Sequence, residues 1–371
     1  MKVSIVTQPP QQIRRFDEDP PIETMGDVEV IREVFFTPLN GSFNWDYDSA
    51  NAKIRRLYEL GKLHNWNVTT DVDWDAPYDK NDFPMPQVTN PMNGYPEYEA
   101  LSQEEKIKFS WKNHAQTASQ FLHGEQGAML VASQLVACAP TYDAKLYASS
   151  QTFDEARHVE AFNEYLRRRC GMVYPINPNL KALIDKVLAD ERWDLKFIGM
   201  QLVIEGLALA AFGSIIQTSS DPLFKQVIAL VMRDEGRHVA FGVNYLEDWI
   251  KALPESEIED RAEFAYQATL IMRDRLFSLD VAREYGFDLE ATHKHIMESQ
   301  VIKLFQHLLF ERIIPNFKRV GLLTEKIRPK FEAMGALTYE DCLGDLDIDW
   351  ANLERPLPTK ENLAAAQIAA E

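Results

Sequence analysis

Apolar positions recur at helical spacing from about residue 101 to the end of the chain, and no alternating pattern typical of strands competes with them. Pro and Gly residues interrupt the pattern and limit the expected helices. These helices are predicted near 101–138, 143–170, 191–218, 222–251, 256–284, 288–313 and 323–334. The hydrophobic pattern therefore predicts an all-α protein.

The N-terminal hundred residues have a different texture, rich in Pro, Asn, Asp and aromatic residues. One credible helix is predicted there, near 48–63. We expect an irregular N-terminal wrap over 1–100, a helical domain over 101–335 and a C-terminal extension over 336–371.

The most apolar stretch is Met200–Ile216, with 17 residues. It is short for a membrane span and contains Gln201 and Glu205, so a buried helix is the better interpretation. A helix that is apolar on all sides lies inside a bundle, and a carboxylate within it needs a partner. Glu205 therefore becomes a candidate for chemistry.

One short motif is repeated. Asp-Glu-x-Arg-His occurs at 154–158 and again at 234–238, 80 residues later. In each copy the Glu is preceded by another Glu 30 residues earlier, Glu125 for the first copy and Glu205 for the second. The predicted turn of the first pair falls midway, at Pro140, and the second pair has the same arrangement.

This spacing places the repeated residues together. A helix rises 1.5 Å per residue, so the chain climbs roughly 22 Å from the first Glu to the turn and descends equally to the second. Glu-x-x-His puts a carboxylate and an imidazole on one helix face, and two packed hairpins bring both sets to one level. The six residues predicted to meet are Glu125, Glu155, His158, Glu205, Glu235 and His238.

Four buried carboxylates would repel one another strongly unless cations neutralised them. Two divalent ions supply the matching positive charge, and oxygen-rich donors with two imidazoles suit iron or manganese better than copper or structural zinc. The alternative is structural ion pairing without a metal. The two motif copies, the equal spacing and the Glu within an apolar helix favour a di-metal site.

The segments that carry a family resemblance are GEQGAM, DEARHVEAFNEYL, IEGLALA and DEGRHVAFGVNYL. They resemble the ligand helices of ferritin-like di-iron carboxylate oxygenases, which include multicomponent monooxygenase hydroxylases, ribonucleotide-reductase-small-subunit-like oxidases and di-iron N-oxygenases. The resemblance covers 120–250, about a third of the chain. It implies a ferritin-like four-helix bundle core with additional helices, either two iron ions or a Mn/Fe pair, and dioxygen as co-substrate.

The resemblance also implies roles for residues beside the ligands. Asp154 would orient His238 and Asp234 would orient His158, which would fix the tautomers of both rings. Two arginines would balance the charge, namely Arg157 and Arg237. The alternative for these four Asp and Arg residues is ordinary ion pairing on the helix surface.

Some positions depart from the known subfamilies. Phe162 stands where the radical-forming reductase subunits have Tyr, so a tyrosyl radical is not expected there. Leu209 and Ala208 stand where the hydroxylases and acyl desaturases have Thr. Val231 replaces the extra His of the known di-iron N-oxygenases, which weakens an arylamine oxygenase assignment.

The residues one turn from the ligands are mostly apolar, which favours a dry cavity for an apolar or aromatic substrate. Core packing is the alternative explanation for the same residues. The candidate substrate contacts are Met129, Phe162, Gln201, Leu209 and Phe212.

Composition limits the partners. Among 371 residues, 39 Lys and Arg stand against 57 Asp and Glu, a formal charge of −18, which disfavours nucleic acid and anionic membranes. Three widely spaced cysteines without CxxC favour a reducing cytoplasm over a disulfide framework.

The sequence thus predicts a di-iron monooxygenase that hydroxylates or N-oxygenates a small substrate. We expect it to draw electrons from an external donor, a ferredoxin or a reductase, and to form a homodimer. Three alternatives stay open: an R2-like ligand-binding oxidase with a bound fatty acid, an acyl desaturase-like oxidase, and a non-enzymatic metal store or scaffold. Storage is disfavoured because ferritin-like cages use much shorter chains.

Overall fold

The computed structural model describes residues 12–26, 32–274, 278–342 and 349–370. Nearly all regular structure in these residues is helical, apart from one antiparallel pair of two-residue strands, β1 (Arg14–Arg15) and β2 (Met172–Val173). The helices are α1 (Ala52–Leu63), α2 (Val68–Asp71), α3 (Pro96–Glu99), α4 (Gln103–Cys138), α5 (Tyr142–Tyr165), α6 (Pro178–Ala189), α7 (Trp193–Thr218), α8 (Pro222–Lys251), α9 (Glu255–Asp274), α10 (Asp280–Glu284), α11 (Leu289–Glu298), α12 (Gln300–Val320), α13 (Arg328–Ala333), α14 (Trp350–Leu353) and α15 (Lys360–Ala370). The predicted all-α class is confirmed.

Four long helices, α4, α5, α7 and α8, form the ferritin-like core as two antiparallel hairpins. Each hairpin turns at its predicted midpoint, Pro140 in the first and Ser220 in the second. The second helix of each pair begins at a capped residue. The Thr141 hydroxyl accepts from the Ala144 N–H, and Asp221 caps α8 with a proline at the first helical position.

Helix α7 is the apolar stretch of the sequence, and 83% of its most apolar window is buried inside the protein. It is a core helix, as predicted, although its length and composition alone would also fit a membrane span. Its middle portion, Ile198–Glu205, has π-helical hydrogen bonding. Helix α8 approaches it closely, since a Cβ on Gly242 would lie 2.5 Å from Gln201 Cβ. A larger residue there would force the two helices apart.

The structure corrects several expected boundaries. Helix α6 is absent from the sequence prediction, which treats Pro178 as a break. Proline is favoured at the first position of a helix, and here Asn177 caps the helix that Pro178 begins. The expected 288–313 helix is two helices separated by the cap residue Ser299, and the second continues through Pro315 to Val320. The predicted 256–284 helix contains 275–277, which lie outside the described residues.

Part of the N-terminal segment contributes to the hydrophobic core. Helix α1 packs against α5 and α8, and its Ile54 and Leu57 are fully buried in the main hydrophobic core. A Cβ on Gly61 would lie 2.6 Å from the Ser150 hydroxyl of α5, so the two helices are in close contact. The chain just after α1 is therefore held against the centre of the bundle.

Candidate metal centre

The structure brings all six predicted ligands together in the middle of the bundle, each no more than 6% exposed. Their donor atoms form two groups, within which the atoms lie 4.8 Å or less from one another. The first group is Glu125, Glu155, His158 and Glu235, and the second is Glu155, Glu205 and His238. Glu155 belongs to both, so it would help to hold each of two ions.

Each ligand helix supplies its residues at the same level because the turns lie midway between them. Helix α4 provides Glu125, and α7 provides Glu205 at the end of its π-helical portion. Helices α5 and α8 provide the two Glu-x-x-His pairs. A π-helical turn shifts the residues that follow it around the helix axis, and such turns are frequent at functional sites.

Both imidazoles point their Nδ1 atoms at the carboxylates. His158 Nδ1 lies 3.1 Å from Glu125 Oε2 and 3.1 Å from Glu155 Oε2. His238 Nδ1 lies 3.1 Å from Glu155 Oε1. A lone pair on Nδ1 is what a metal ion requires, so the ring orientation fits the predicted role.

The outer nitrogens of both rings face aspartates. His158 Nε2 lies 3.0 Å from Asp234 Oδ2, and His238 Nε2 lies 3.2 Å from Asp154 Oδ2. An aspartate carboxylate accepts hydrogen bonds, so each Nε2 carries a proton, and this arrangement offers the Nδ1 lone pair to a metal ion. This crossed pairing is the one that the family resemblance implied.

Two arginines complete a buried charge network with these aspartates. Arg157 Nη2 lies 2.6 Å from Asp154 Oδ1 and 3.1 Å from Asp234 Oδ2. Arg237 Nη2 lies 2.9 Å from Asp154 Oδ2 and 2.7 Å from Asp234 Oδ1. All four side chains are at most 5% exposed, so these are not surface ion pairs. Each charge has opposite partners on both α5 and α8.

Two of the carboxylates, Glu125 and Glu205, lack such compensation. Burial and the charge of Glu235 raise the pKa of Glu125 and of Glu205 well above the usual range. Glu205 Oε2, both Glu235 oxygens and His238 Nδ1 are buried without a hydrogen-bond partner. Buried polar atoms without partners are costly, and cations between these donors would satisfy them. The donor set therefore fits a pair of metal ions.

Two residues at the centre were missed by the sequence analysis. Gln151 donates from Nε2 to Glu155 Oε1 at 3.1 Å and to Glu205 Oε1 at 2.9 Å. Its position four residues before Glu155 on a predicted helix was a usable signal. Trp66 donates from Nε1 to Asp234 Oδ2 at 2.8 Å. Nothing in the sequence around Trp66 indicates this contact, which depends on how α1 packs.

Two adjacent cavities lie beside the carboxylates. The smaller, of about 20 Å³, is lined by Glu125, Glu205 and Glu235 and has room for about one water-sized molecule. The larger, of about 350 Å³, extends between α4 and α7, and α12 also lines it. Three residues line both cavities, Gln120, Phe121 and Ala208. Only the side chains of these three residues would thus separate a substrate in the larger cavity from the carboxylates.

None of the five predicted substrate contacts lines either of these two cavities, so their contact with a substrate stays a prediction. Phe162 and Phe212 are core residues, and Gln201 donates to Gln151 at 3.3 Å. Leu209 packs into the main core, and Met129 lines neither cavity. The cavities instead lie along the face of α7 that carries four other residues, Ile204, Ala208, Ala211 and Ile215. Helical spacing alone does not show which face of the helix around Glu205 borders a cavity.

A comparison with known proteins decides the family. Residues 48–321 match the family described as P-aminobenzoate N-oxygenase AurF. The chain belongs to the AurF family. The description of this family as an N-oxygenase agrees with the di-iron oxygenase class that the sequence predicts. Val231, where the resemblance led us to look for an extra His, is fully buried among apolar residues.

Two curated relatives are similar to part of the chain. Uncharacterized protein MT0908 of Mycobacterium tuberculosis (strain CDC 1551 / Oshkosh) is 26% identical over 240 residues, which cover 58% of this chain and 65% of that protein. Uncharacterized protein Mb0909 of Mycobacterium bovis (strain ATCC BAA-935 / AF2122/97) is 25% identical over the same shares. The chain thus spans less than two thirds of the length of these relatives, 65% of each.

Among solved structures, an R2-like ligand-binding oxidase with an aerobically reconstituted Mn/Fe cofactor aligns with 18% identity and a TM-score of 0.42. A variant of an R2-like ligand-binding oxidase with an anaerobically reconstituted Mn/Fe cofactor aligns with 18% identity and a TM-score of 0.44. Each alignment covers 71% of this chain and 94% of the other.

Proposed function

We propose that this AurF-family protein is a dioxygen-dependent monooxygenase that hydroxylates or N-oxygenates a small, uncharged, mainly apolar or aromatic molecule. The observation that carries the proposal is the adjacency of the two cavities. The smaller one is lined by three carboxylates, and the larger one, of about 350 Å³, falls within the size range of small-molecule sites.

In this proposal Glu125, Glu155, His158, Glu205, Glu235 and His238 hold two iron ions, or a Mn/Fe pair. The reduced metal pair would supply the electrons that activate dioxygen. Asp154 and Asp234 hold the outer protons of the two imidazoles, which keeps both Nδ1 lone pairs directed inward. Phe121 and Ala208 separate the carboxylates from the larger cavity and limit access of water.

The lining of the larger cavity supports an uncharged substrate. Among the described residues that line it, none is Lys, Arg, Asp or Glu. The family is described by p-aminobenzoate, which carries a carboxylate, and an anion in this cavity would find no lining cation among those residues. The proposed substrate is therefore a neutral amine or hydrocarbon rather than an aminobenzoate.

The proposal also includes an external electron donor, a ferredoxin or a reductase, since no redox cofactor besides the metals is implied. A homodimer and a cytoplasmic location belong to the same proposal. The three cysteines, Cys138, Cys170 and Cys342, are free thiols, which agrees with a reducing compartment.

A single-turnover experiment tests the proposal without knowledge of the donor. Iron-loaded protein is chemically reduced under anaerobic conditions, freed of reductant and exposed to ¹⁸O₂ with 4-butylaniline, a neutral arylamine with an apolar chain. We expect an N- or C-oxygenated product that contains one ¹⁸O atom, detected by mass spectrometry. Glu235→Ala should give none, and Glu160→Ala, an exposed residue of α5, should match the native protein. Oxidation of the iron with no ¹⁸O in any product would contradict a monooxygenase.

A further inference from the structure

The end of the larger cavity remote from the carboxylates contains a histidine with no role so far. His114 lies on α4, 11 residues before Glu125, which is about 16 Å along the helix axis. Its side chain lines the cavity and is 5% exposed. A ligand that reached both His114 and the carboxylates would have to be elongated.

A buried hydrogen-bond chain fixes the tautomer of His114. Its Nε2 lies 2.6 Å from the Tyr165 hydroxyl, and that hydroxyl lies 2.8 Å from Asp221 Oδ2. Asp221 also accepts from the Leu223 N–H at the start of α8 and is paired with Arg169. A carboxylate only accepts, so Tyr165 donates to Asp221 and its oxygen accepts from His114 Nε2–H. The unprotonated nitrogen, Nδ1, is the one left for a molecule in the cavity.

Burial keeps this ring neutral. It lowers the pKa of His114 to about 3, so the ring carries one proton, on Nε2, at physiological pH. Nδ1 is then a hydrogen-bond acceptor and not a cationic donor.

Two other polar residues of the cavity form hydrogen bonds within the protein. Gln120 donates to Pro175 O and accepts from the Asn177 N–H. Asn90 donates to the Tyr98 hydroxyl and accepts from the Met92 N–H. Near the carboxylates the lining is apolar and includes Leu207, Ala208, Ala211 and Phe121. The cavity therefore has an apolar end at the metal centre and a hydrogen-bond acceptor at its remote end.

We infer that His114 accepts a hydrogen bond from the remote end of the substrate, so that the site selects an elongated, uncharged molecule with an apolar reacting end and a hydroxyl or N–H group at the other. The inference rests on the proposed function, because it takes the larger cavity as the substrate site. Tyr165 and Asp221 act as positioning residues that hold the ring in the accepting tautomer.

Binding of three probes with similar chains tests the inference. Decan-1-ol offers a hydroxyl donor, methyl nonyl ether has the same number of heavy atoms without a donor, and decanoate carries a negative charge. Isothermal titration calorimetry on the metal-loaded protein should show the alcohol binding about three- to tenfold tighter than the ether, the worth of one neutral hydrogen bond. Decanoate should bind no tighter than the ether, because no described lining residue is cationic.

Substitutions assign the selectivity to the histidine. His114→Phe should remove the preference for the alcohol. The matched control is His123→Phe, on the same helix but outside the cavity lining, where the ring bonds Tyr174 O; it should keep the preference. Tyr165→Phe removes the hydroxyl that fixes the tautomer and should lower the alcohol-to-ether ratio with little change of shape. A structural role for His114 would weaken both probes equally and leave that ratio intact.

Three outcomes would overturn the inference: binding by no probe, tightest binding by decanoate, or a full alcohol preference that persists in both His114→Phe and Tyr165→Phe. Binding needs no turnover, so a protein that shows the preference but incorporates no ¹⁸O would refute the monooxygenase proposal and leave the recognition of the hydroxyl standing.

Discussion

The two copies of Asp-Glu-x-Arg-His have the same sequence pattern, yet their carboxylates have different surroundings. Glu155 in the first copy accepts from Gln151 and lies beside both imidazoles. Burial alone would raise its pKa, but the two histidines hold that pKa well below the usual range. Glu235 in the second copy also lies beside both imidazoles, at the longer distances of 3.3 Å from His158 Nδ1 and 3.6 Å from His238 Nδ1, and neither of its oxygens has a hydrogen bond. A repeated motif therefore does not make two equivalent half-sites.

The aspartates of the two copies differ in the same way. Each pairs with both arginines and with one histidine, but Asp234 also accepts from Trp66. The residues that create the asymmetry, Gln151 and Trp66, lie outside the motif. Local repetition fixes the ligand positions, and packing by other parts of the chain sets how tightly each one is held.

The largest expected difference concerns metal content. Glu155 belongs to both donor groups and Glu235 only to the first, so Glu155→Ala should lose both ions and Glu235→Ala should keep about one per chain. Elemental analysis of protein purified with iron and manganese available measures this. Glu160→Ala, exposed on the same helix as Glu155, should retain the native content. Equal metal loss in the two Glu variants would contradict the asymmetry.

The second-largest effect is expected from removal of an aspartate, which should lower the free energy of unfolding of the metal-free protein. Asp234→Ala leaves two buried arginines with one fewer counter-charge and should cost about 3–5 kcal/mol. Asp154→Ala should cost about 1 kcal/mol less, because it does not break the bond from Trp66. Urea unfolding of both variants gives the comparison. A larger loss of unfolding free energy in Asp154→Ala than in Asp234→Ala would contradict the predicted difference between the two aspartates.

A third test separates the two metal positions through Gln151. Gln151→Leu removes the donor shared by Glu155 and Glu205, so affinity at the position that contains Glu205 should fall about 10–100-fold. The position that contains Glu125 serves as the internal control and should change less. Stepwise metal titration followed by absorbance resolves the two positions. An equal fall in metal affinity at both positions would show that Gln151 supports the two positions equally.

The smallest effect is expected from Trp66→Phe. The smaller ring leaves a small cavity and one hydrogen bond to Asp234 is lost, which together should lower the free energy of unfolding of the metal-free protein by about 1–3 kcal/mol. Metal affinity should fall only at the position held by His158, whose outer nitrogen bonds the same Asp234 oxygen. A fall in metal affinity at the position held by His238 instead would contradict this prediction.

The sequence was informative wherever the chemistry is local. Equal spacing of the glutamates about the turns predicted the level at which they meet, and α8 runs over the predicted 222–251. The placement of the cavity was missed because it depends on which side of α7 packs, a choice made by the π-helical portion Ile198–Glu205 and by the contact with Gly242. Trp66 was missed because helix α1 delivers it from a distant part of the chain.

The central proposal is that six side chains would hold two metal ions, with Glu155 shared by the two donor groups. The most direct test is a crystal structure of iron-loaded protein with anomalous difference maps measured above and below the iron edge. The account predicts two peaks, one among Glu125, Glu155, His158 and Glu235 and the other among Glu155, Glu205 and His238. A single peak, or iron bound elsewhere while these carboxylates stay empty, would contradict it.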